Sequence, residues 1–249
     1  MYSVQNRAGA AAGERRKPMQ QIYLFFAAVI MSLTCLSLMG RFMQVTRRGQ
    51  ALGAMFFKGA ASLCFVAVGL LGLLRLGDTA FGWKALAGLV LGFLGDELLA
   101  MRFIREEKHD LYFSLGAVSF SLGHVLFIWA AIERAGRFSL LTLPILALLL
   151  LFSWLYARKK ESHAGDMHLN AVLYICLVCC MGAVTCAAAI VRPDISSLCF
   201  ALGGLGFAVS DNILCAHYFG NDSRFLLNWL IHISYYGAQL LIAWSVFFA

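Results

Sequence analysis

The chain has 249 residues, 61% of them hydrophobic and only 13% charged, with a net charge of +7. A soluble domain carries about 25% charged residues, so this balance excludes an ordinary water-soluble fold and points to an all-α, polytopic membrane protein. The alternation of an outer-membrane barrel is missing. The Lys and Arg residues sit between apolar runs, as topology determinants and headgroup anchors, so nucleic acid is not an expected partner.

Residues 1–20 read as a polar, basic tail carrying "ERRK", and residues 21–249 as one transmembrane domain. The apolar run after the tail is about 19 residues long, beyond the roughly 7–15 of a signal peptide, so it reads as an uncleaved first span. A span needs about 20 mostly apolar residues. About eight are predicted, at 22–40, 52–74, 83–101, 111–132, 139–157, 169–191, 197–216 and 225–248. The linkers are short and charged, as in "RFIREEKHD" and "RKKESHAGD". An even number of spans puts both termini on one side. That side carries 9 Lys and Arg residues against 10 on the other, a margin that leaves orientation open. Multi-pass insertion is expected, in the inner membrane if the source is bacterial.

Eight cysteines all fall within apolar runs. "CLVCC" (Cys176 to Cys180) holds a CxxC with no second pair to complete a zinc site, so these are read as small packing residues.

An internal echo organises the spans. A shift of 115 residues lays "GDELLA" (Gly95 to Ala100) over "SDNILC" (Ser210 to Cys215), and "GHVLFIWA" (Gly123 to Ala130) over "AQLLIAWS" (Ala238 to Ser245). Four spans separate the copies, so spans 3–4 and 7–8 read as a parallel internal repeat. Asp96 and Asp211 become pseudo-equivalent.

Ionisable groups in a bilayer cost at least about 2.5–3.5 kcal/mol each, so they turn toward protein and tend to carry function. Within the spans proper, away from their ends, these are Lys58, Asp96, Glu97, His124, Asp211 and His232. Asn228, His232, Tyr235 and Gln239 follow helical spacing in span 8, as do Ser114, Ala117, Ser121 and His124 in span 4. Both stripes are expected to face inward, so that spans 3, 4, 7 and 8 enclose a polar cavity. Alternatives stay open at each position. The aspartates are either catalytic or hydrogen-bonded glue between helices, and the histidines either bind or pack. Lys58 either enters the cavity or snorkels to the interface. Glu97, about 100° around the helix from Asp96, either faces the cavity or not.

"FLGDELL" followed by "FSLGHVLFIWA", then "GGLGFAVSDNILCAHYF" and "SYYGAQLLIAW", resembles the YhhN family of integral membrane lysoplasmalogenases. The family's Gly-Asp, Gly-His-x-x-aromatic, Ser-Asp and Tyr-Tyr-x-small-Gln motifs fall here at Gly95-Asp96, Gly123-His124 to Phe127, Ser210-Asp211 and Tyr235 to Gln239. The resemblance runs from about Gly53 to Val246. One departure is Gly59, where the family usually places proline after its span-2 lysine.

The resemblance implies a substrate, lysoplasmalogen, and a reaction: hydrolysis of its vinyl ether to a fatty aldehyde and glycerophosphoethanolamine or glycerophosphocholine. Such hydrolysis needs one carboxylic acid and one group that activates water, a division of labour that paired carboxylates perform in glycosidases. Asp96 and Asp211 are the expected catalytic pair, with the acid and the base not distinguished. Lys58, His124, Tyr235 and Gln239 are expected to bind substrate or water, and Asn212 to brace Asp211. No metal or cofactor is expected; the partners are a lysophospholipid and the bilayer, and oligomeric state is open. Two other classes remain: a proton-coupled transporter, and a metal-dependent lipid hydrolase built on His124, His232 and His217. No Gly-x-Ser-x-Gly elbow supports a serine lipase.

Overall fold

The computed structural model describes residues 2–77, 79–159, 168–219 and 225–249, with side chains for 19–77, 79–159, 169–215, 217 and 226–249. Its eight α-helices are α1 (Tyr2–Arg47), α2 (Ala51–Leu76), α3 (Ala80–Met101), α4 (His109–Ala135), α5 (Thr142–Lys159), α6 (His168–Val191), α7 (Ile195–Phe219) and α8 (Phe225–Phe247). A short 3-10 turn, Glu106–Lys108, precedes α4. Each predicted span falls on one helix. α5 starts three residues later than expected, because the amide of Thr142 closes a turn onto the Ser139 carbonyl. Pro144 then lies in its first turn, where a missing N–H costs nothing.

Among the described residues, seven helices are long and apolar enough to cross a membrane. The eighth, α3, is 22 residues long and carries Lys84, Asp96 and Glu97. Its start is defined by local chemistry: the Thr79 hydroxyl accepts the Gly82 amide at 3.1 Å as an N-cap. Gly136, with φ of 72°, ends α4 in the left-handed conformation that suits glycine.

Six helices close into a ring in the order α2, α3, α4, α6, α7, α8 and back to α2. α1 packs outside on α2, and α5 outside on α6. A shift of four helices maps this pattern onto itself, since α2 meets α8 as α6 meets α4. The parallel repeat read from spans 3–4 and 7–8 is thus embedded in a ring that also needs α2 and α6. Lipid tails give apolar faces no advantage in association, so close backbone approach holds the ring together. Gly72 lies so near Phe247 that a Cβ there would sit 2.7 Å from its backbone nitrogen. A Cβ on Gly203 would sit 3.0 Å from the Ala238 carbonyl oxygen. At the end of the bundle nearest the α6–α7 turn, Asp194 caps α7 by accepting the Ser197 amide at 2.8 Å. Arg134 Nη2 also donates to both of its carboxylate oxygens at 3.0 Å, which ties α4 to the turn.

Candidate active site

Asp96 is buried in α3 and accepts from three directions. The Lys58 ammonium stands 3.0 Å from Oδ1. The Ser62 hydroxyl donates to Oδ2 at 2.5 Å and the Tyr235 phenol at 2.7 Å. Lys58 and Ser62 are four residues apart on α2, one turn along a single face, so both reach the same carboxylate. Tyr235 and Gln239 have that spacing on α8, and the Gln239 amide donates to the Tyr235 oxygen at 3.1 Å. Gln239 fits because Gly92 of α3 faces it; a Cβ there would collide with its amide. The Tyr236 hydroxyl donates to the Lys58 carbonyl at 3.3 Å, anchoring α8 to α2.

Asp211 is buried in α7 in different company. Its Oδ2 accepts the Tyr174 phenol of α6 at 2.7 Å. His124 Nε2, from α4, lies 3.4 Å from that phenol oxygen and 3.9 Å from Oδ2. Among the described residues nothing bonds the buried Nδ1 of His124. Its ring meets Phe207 edge-on, with centroids 5.0 Å apart.

The shift of 115 residues relates the two clusters. It carries Asp96 onto Asp211 and His124 onto Gln239, while α2 and α6 exchange as the helices that supply Lys58 with Ser62 on one side and Tyr174 on the other. Each aspartate is thus approached from two equivalent helices, by different side chains. The carboxylates do not touch. Phe207 stands between the clusters, 5.5 Å from the Tyr235 ring and 5.0 Å from His124, centroid to centroid.

Several expectations change. Lys58 does not snorkel; its side chain is 12% exposed and points at Asp96. Asn212 does not brace Asp211, because its amide turns back to the Ala208 carbonyl of its own helix at 2.7 Å. His232 leaves the inward stripe of α8: it packs on Phe42 of α1 and its Nδ1 lies 2.8 Å from the Asn228 carbonyl. In α4, Ser114 is exposed and the buried face runs instead through Gly116, Ser119, Phe120, Gly123, His124 and Phe127. Ser210 links α7 to the Ile231 carbonyl of α8. Glu97 belongs to neither cluster and lies against Gly59 between α2 and α3. Among the described residues no three His, Cys, Asp or Glu side chains converge as a metal site.

Two residues here were not singled out from sequence, Ser62 and Tyr174, and Tyr236 entered only as part of the Tyr-Tyr-x-small-Gln motif. Ser62 was signalled only by its one-turn spacing from Lys58. Tyr174, a lone phenol in "NAVLYICLVCC", had no partner within its own helix to mark it.

The YhhN family matches residues 53–246, so the chain belongs to the YhhN family. No curated protein and no solved structure matches it.

Proposed function

We propose, taking that membership as the premise, that the protein is a membrane hydrolase cleaving the vinyl ether of lysoplasmalogens to a fatty aldehyde and a glycerophosphodiester. The observation that carries this reading is a pair of buried carboxylates in unlike surroundings. Asp96 accepts three donors, one of them an ammonium, which is the company of an ionised carboxylate. Asp211 meets a phenol and an imidazole and no fixed positive charge among the described residues, which is the company of a carboxyl group that holds a proton. Unlike environments around two carboxylates are how one site provides an acid and a base together.

In the reaction, Asp211 gives its proton to the β-carbon of the enol ether, and the ether oxygen shares the positive charge that develops on the α-carbon. The ionised Asp96 stabilises that oxocarbenium-like centre and takes a proton from the attacking water. A C–O bond to the water oxygen forms, giving a hemiacetal. In its collapse the bond to the glycerol oxygen breaks, Asp96 passes its proton to that oxygen, the hemiacetal hydroxyl gives its proton back to Asp211, and the aldehyde is released. Tyr174 and His124 orient Asp211, and Tyr235 with Gln239 orients Asp96. Lys58, which stands on Asp96, is the cation this reading assigns to the phosphate. General acid–base catalysis of this kind contributes about 10²–10⁴-fold per group.

The test offers purified protein in detergent both vinyl-ether and ester lysolipids, with aldehyde measured with and without chelator. Aldehyde from the vinyl ether alone, insensitive to chelation, is expected. Its absence refutes the reading, and loss on chelation transfers it to a metal-dependent hydrolase.

A further inference from the structure

Both carboxylates lie off centre along the bundle. Asp96 is five residues from the end of α3 at Met101, and Asp211 eight from the end of α7 at Phe219. Lys58 stands seven residues into α2 and Tyr174 six into α6. Successive helices run in opposite directions, so all four positions are counted from one end of the bundle, the end that carries the α1–α2 and α3–α4 turns. At a rise of 1.5 Å per residue they sit about 8–12 Å below it.

The repeat makes this offset common to both halves. Asp96 and Asp211 are each sixteen residues from the start of their helices, about 24 Å from the far end. Copies that run in the same direction hold equivalent residues at one depth, whereas inverted copies would carry them toward opposite faces. The hydrocarbon core is about 30 Å thick, so each leaflet contributes about 15 Å. Both carboxylates therefore fall within a single leaflet, short of the midplane where transporters hold their substrates.

A lysolipid presents its reacting bond at this level. Only the glycerol carbons separate the ether oxygen from the phosphate, so the vinyl ether lies just beneath the head groups and the chain runs on toward the midplane. The near end also suits phosphate. Around its two turns Arg47, Arg48, Arg102, Arg105 and Lys108 outnumber Glu106, Glu107 and Asp110, and Arg48, Arg105 and Lys108 are exposed. At the far end Lys84 pairs with Glu133, and Arg134 and Arg192 pair with Asp194.

We propose that the site draws its lipid from one leaflet only, the one at this near end, and works on it while the phosphate stays at that face. The proposal rests on the lysoplasmalogen reading for its substrate and adds the side of the membrane that supplies it. A lysolipid of the opposite leaflet would have to bring its reacting bond about 24 Å along the bundle and drag a charged head group into the membrane.

The first span begins at Met19 on the far face and ends at Arg47 on the near one, so an affinity tag placed ahead of Met19 reports orientation. Full-length protein is reconstituted into sealed vesicles at less than one molecule per vesicle, and vesicles displaying the tag are separated from those hiding it. Vinyl-ether lysophosphatidylethanolamine is added outside, where its charged head group holds it. Vesicles that hide the tag should release aldehyde at once; those that display it should be at least about tenfold slower until detergent opens them. A photoactivatable ester lysophosphatidylethanolamine, added in the same way and competed with unlabelled lipid, reads binding without turnover and should label only the first set. Equal rates or equal labelling in the two closed sets, or the reverse sidedness, overturns the proposal, as does a lack of competable labelling after opening. One-sided labelling with no aldehyde even in detergent would support the leaflet assignment and sink the hydrolase reading.

Discussion

Replacing Asp96 by Asn changes one oxygen for an NH₂ group, yet three partners feel it. Ser62 and Tyr235 keep an acceptor if the amide oxygen takes the place of Oδ2. The amide nitrogen then faces the Lys58 ammonium across what was a 3.0 Å ion pair, a donor against a donor. Lys58, only 12% exposed, is left as a charge without its counter-ion. Breaking a buried pair from one side costs about 3–5 kcal/mol, whereas replacing both members by neutral groups is often neutral or stabilising. At roughly 2–4 °C per kcal/mol for a chain of this size, Asp96→Asn should melt on the order of ten degrees below wild type in detergent. The double variant Lys58→Met, Asp96→Asn should recover most of that loss. Aldehyde release should not recover, because the charge that steadies the oxocarbenium-like centre is missing from both proteins. Melting temperature and aldehyde release are therefore read on all three proteins. Turnover near wild type in the double variant would refute the catalytic role of Asp96. A single variant as stable as wild type would refute the buried ion pair.

Asp211→Asn should lower aldehyde release by at least about 10²-fold with the fold retained, and Tyr174→Phe by a smaller factor, since it removes one hydrogen bond from Asp211 and keeps the ring; equal turnover of Tyr174→Phe and wild type would remove Tyr174 from the site. At Asp194, burial alone would raise the pKa, but the Ser197 amide, the Arg134 guanidinium and the Ser197 hydroxyl outweigh it and hold it at about 2. A depressed acid stabilises the fold above its unfolded value and loses that contribution as pH falls through its folded one. Asp194→Asn should therefore melt below wild type at pH 7, by about 1 kcal/mol after allowing for its partial exposure, with the gap closing between pH 4 and 2. Gly72→Ala, remote from both clusters, should destabilise by about 1–3 kcal/mol because the backbone of Phe247 cannot move aside as a side chain could; unchanged melting would mean that α2 and α8 do not pack as described.

Much of the site was legible because burial of charge in lipid is so costly that any ionisable residue inside a span announces itself. Asp96, Asp211, Lys58, His124, Tyr235 and Gln239 were all visible in that way or through helical spacing. Periodicity states which residues share a helix face; it does not state what the face meets. On α8 the stripe is wide enough to touch two neighbours, so Tyr235 turns to α3 while His232 turns to α1. Asn212 adjoins Asp211 in sequence but lies about 100° around the helix, and it satisfies itself on its own backbone.

Chain composition and the lengths of the apolar runs determined the eight helices and placed both aspartates within apolar helices, because the thickness and dryness of the bilayer act on each segment separately. The internal echo likewise paired Asp96 with Asp211 before any contact was known. Only the packed ring decided their partners. α2 and α6 enter between the repeated pairs and bring Lys58 and Ser62 to one carboxylate and Tyr174 to the other. The contacts of the two clusters join residues up to 178 positions apart, in the case of Tyr236 and Lys58. Such pairings depend on how glycine-lined helices approach one another, and no single helix encodes them.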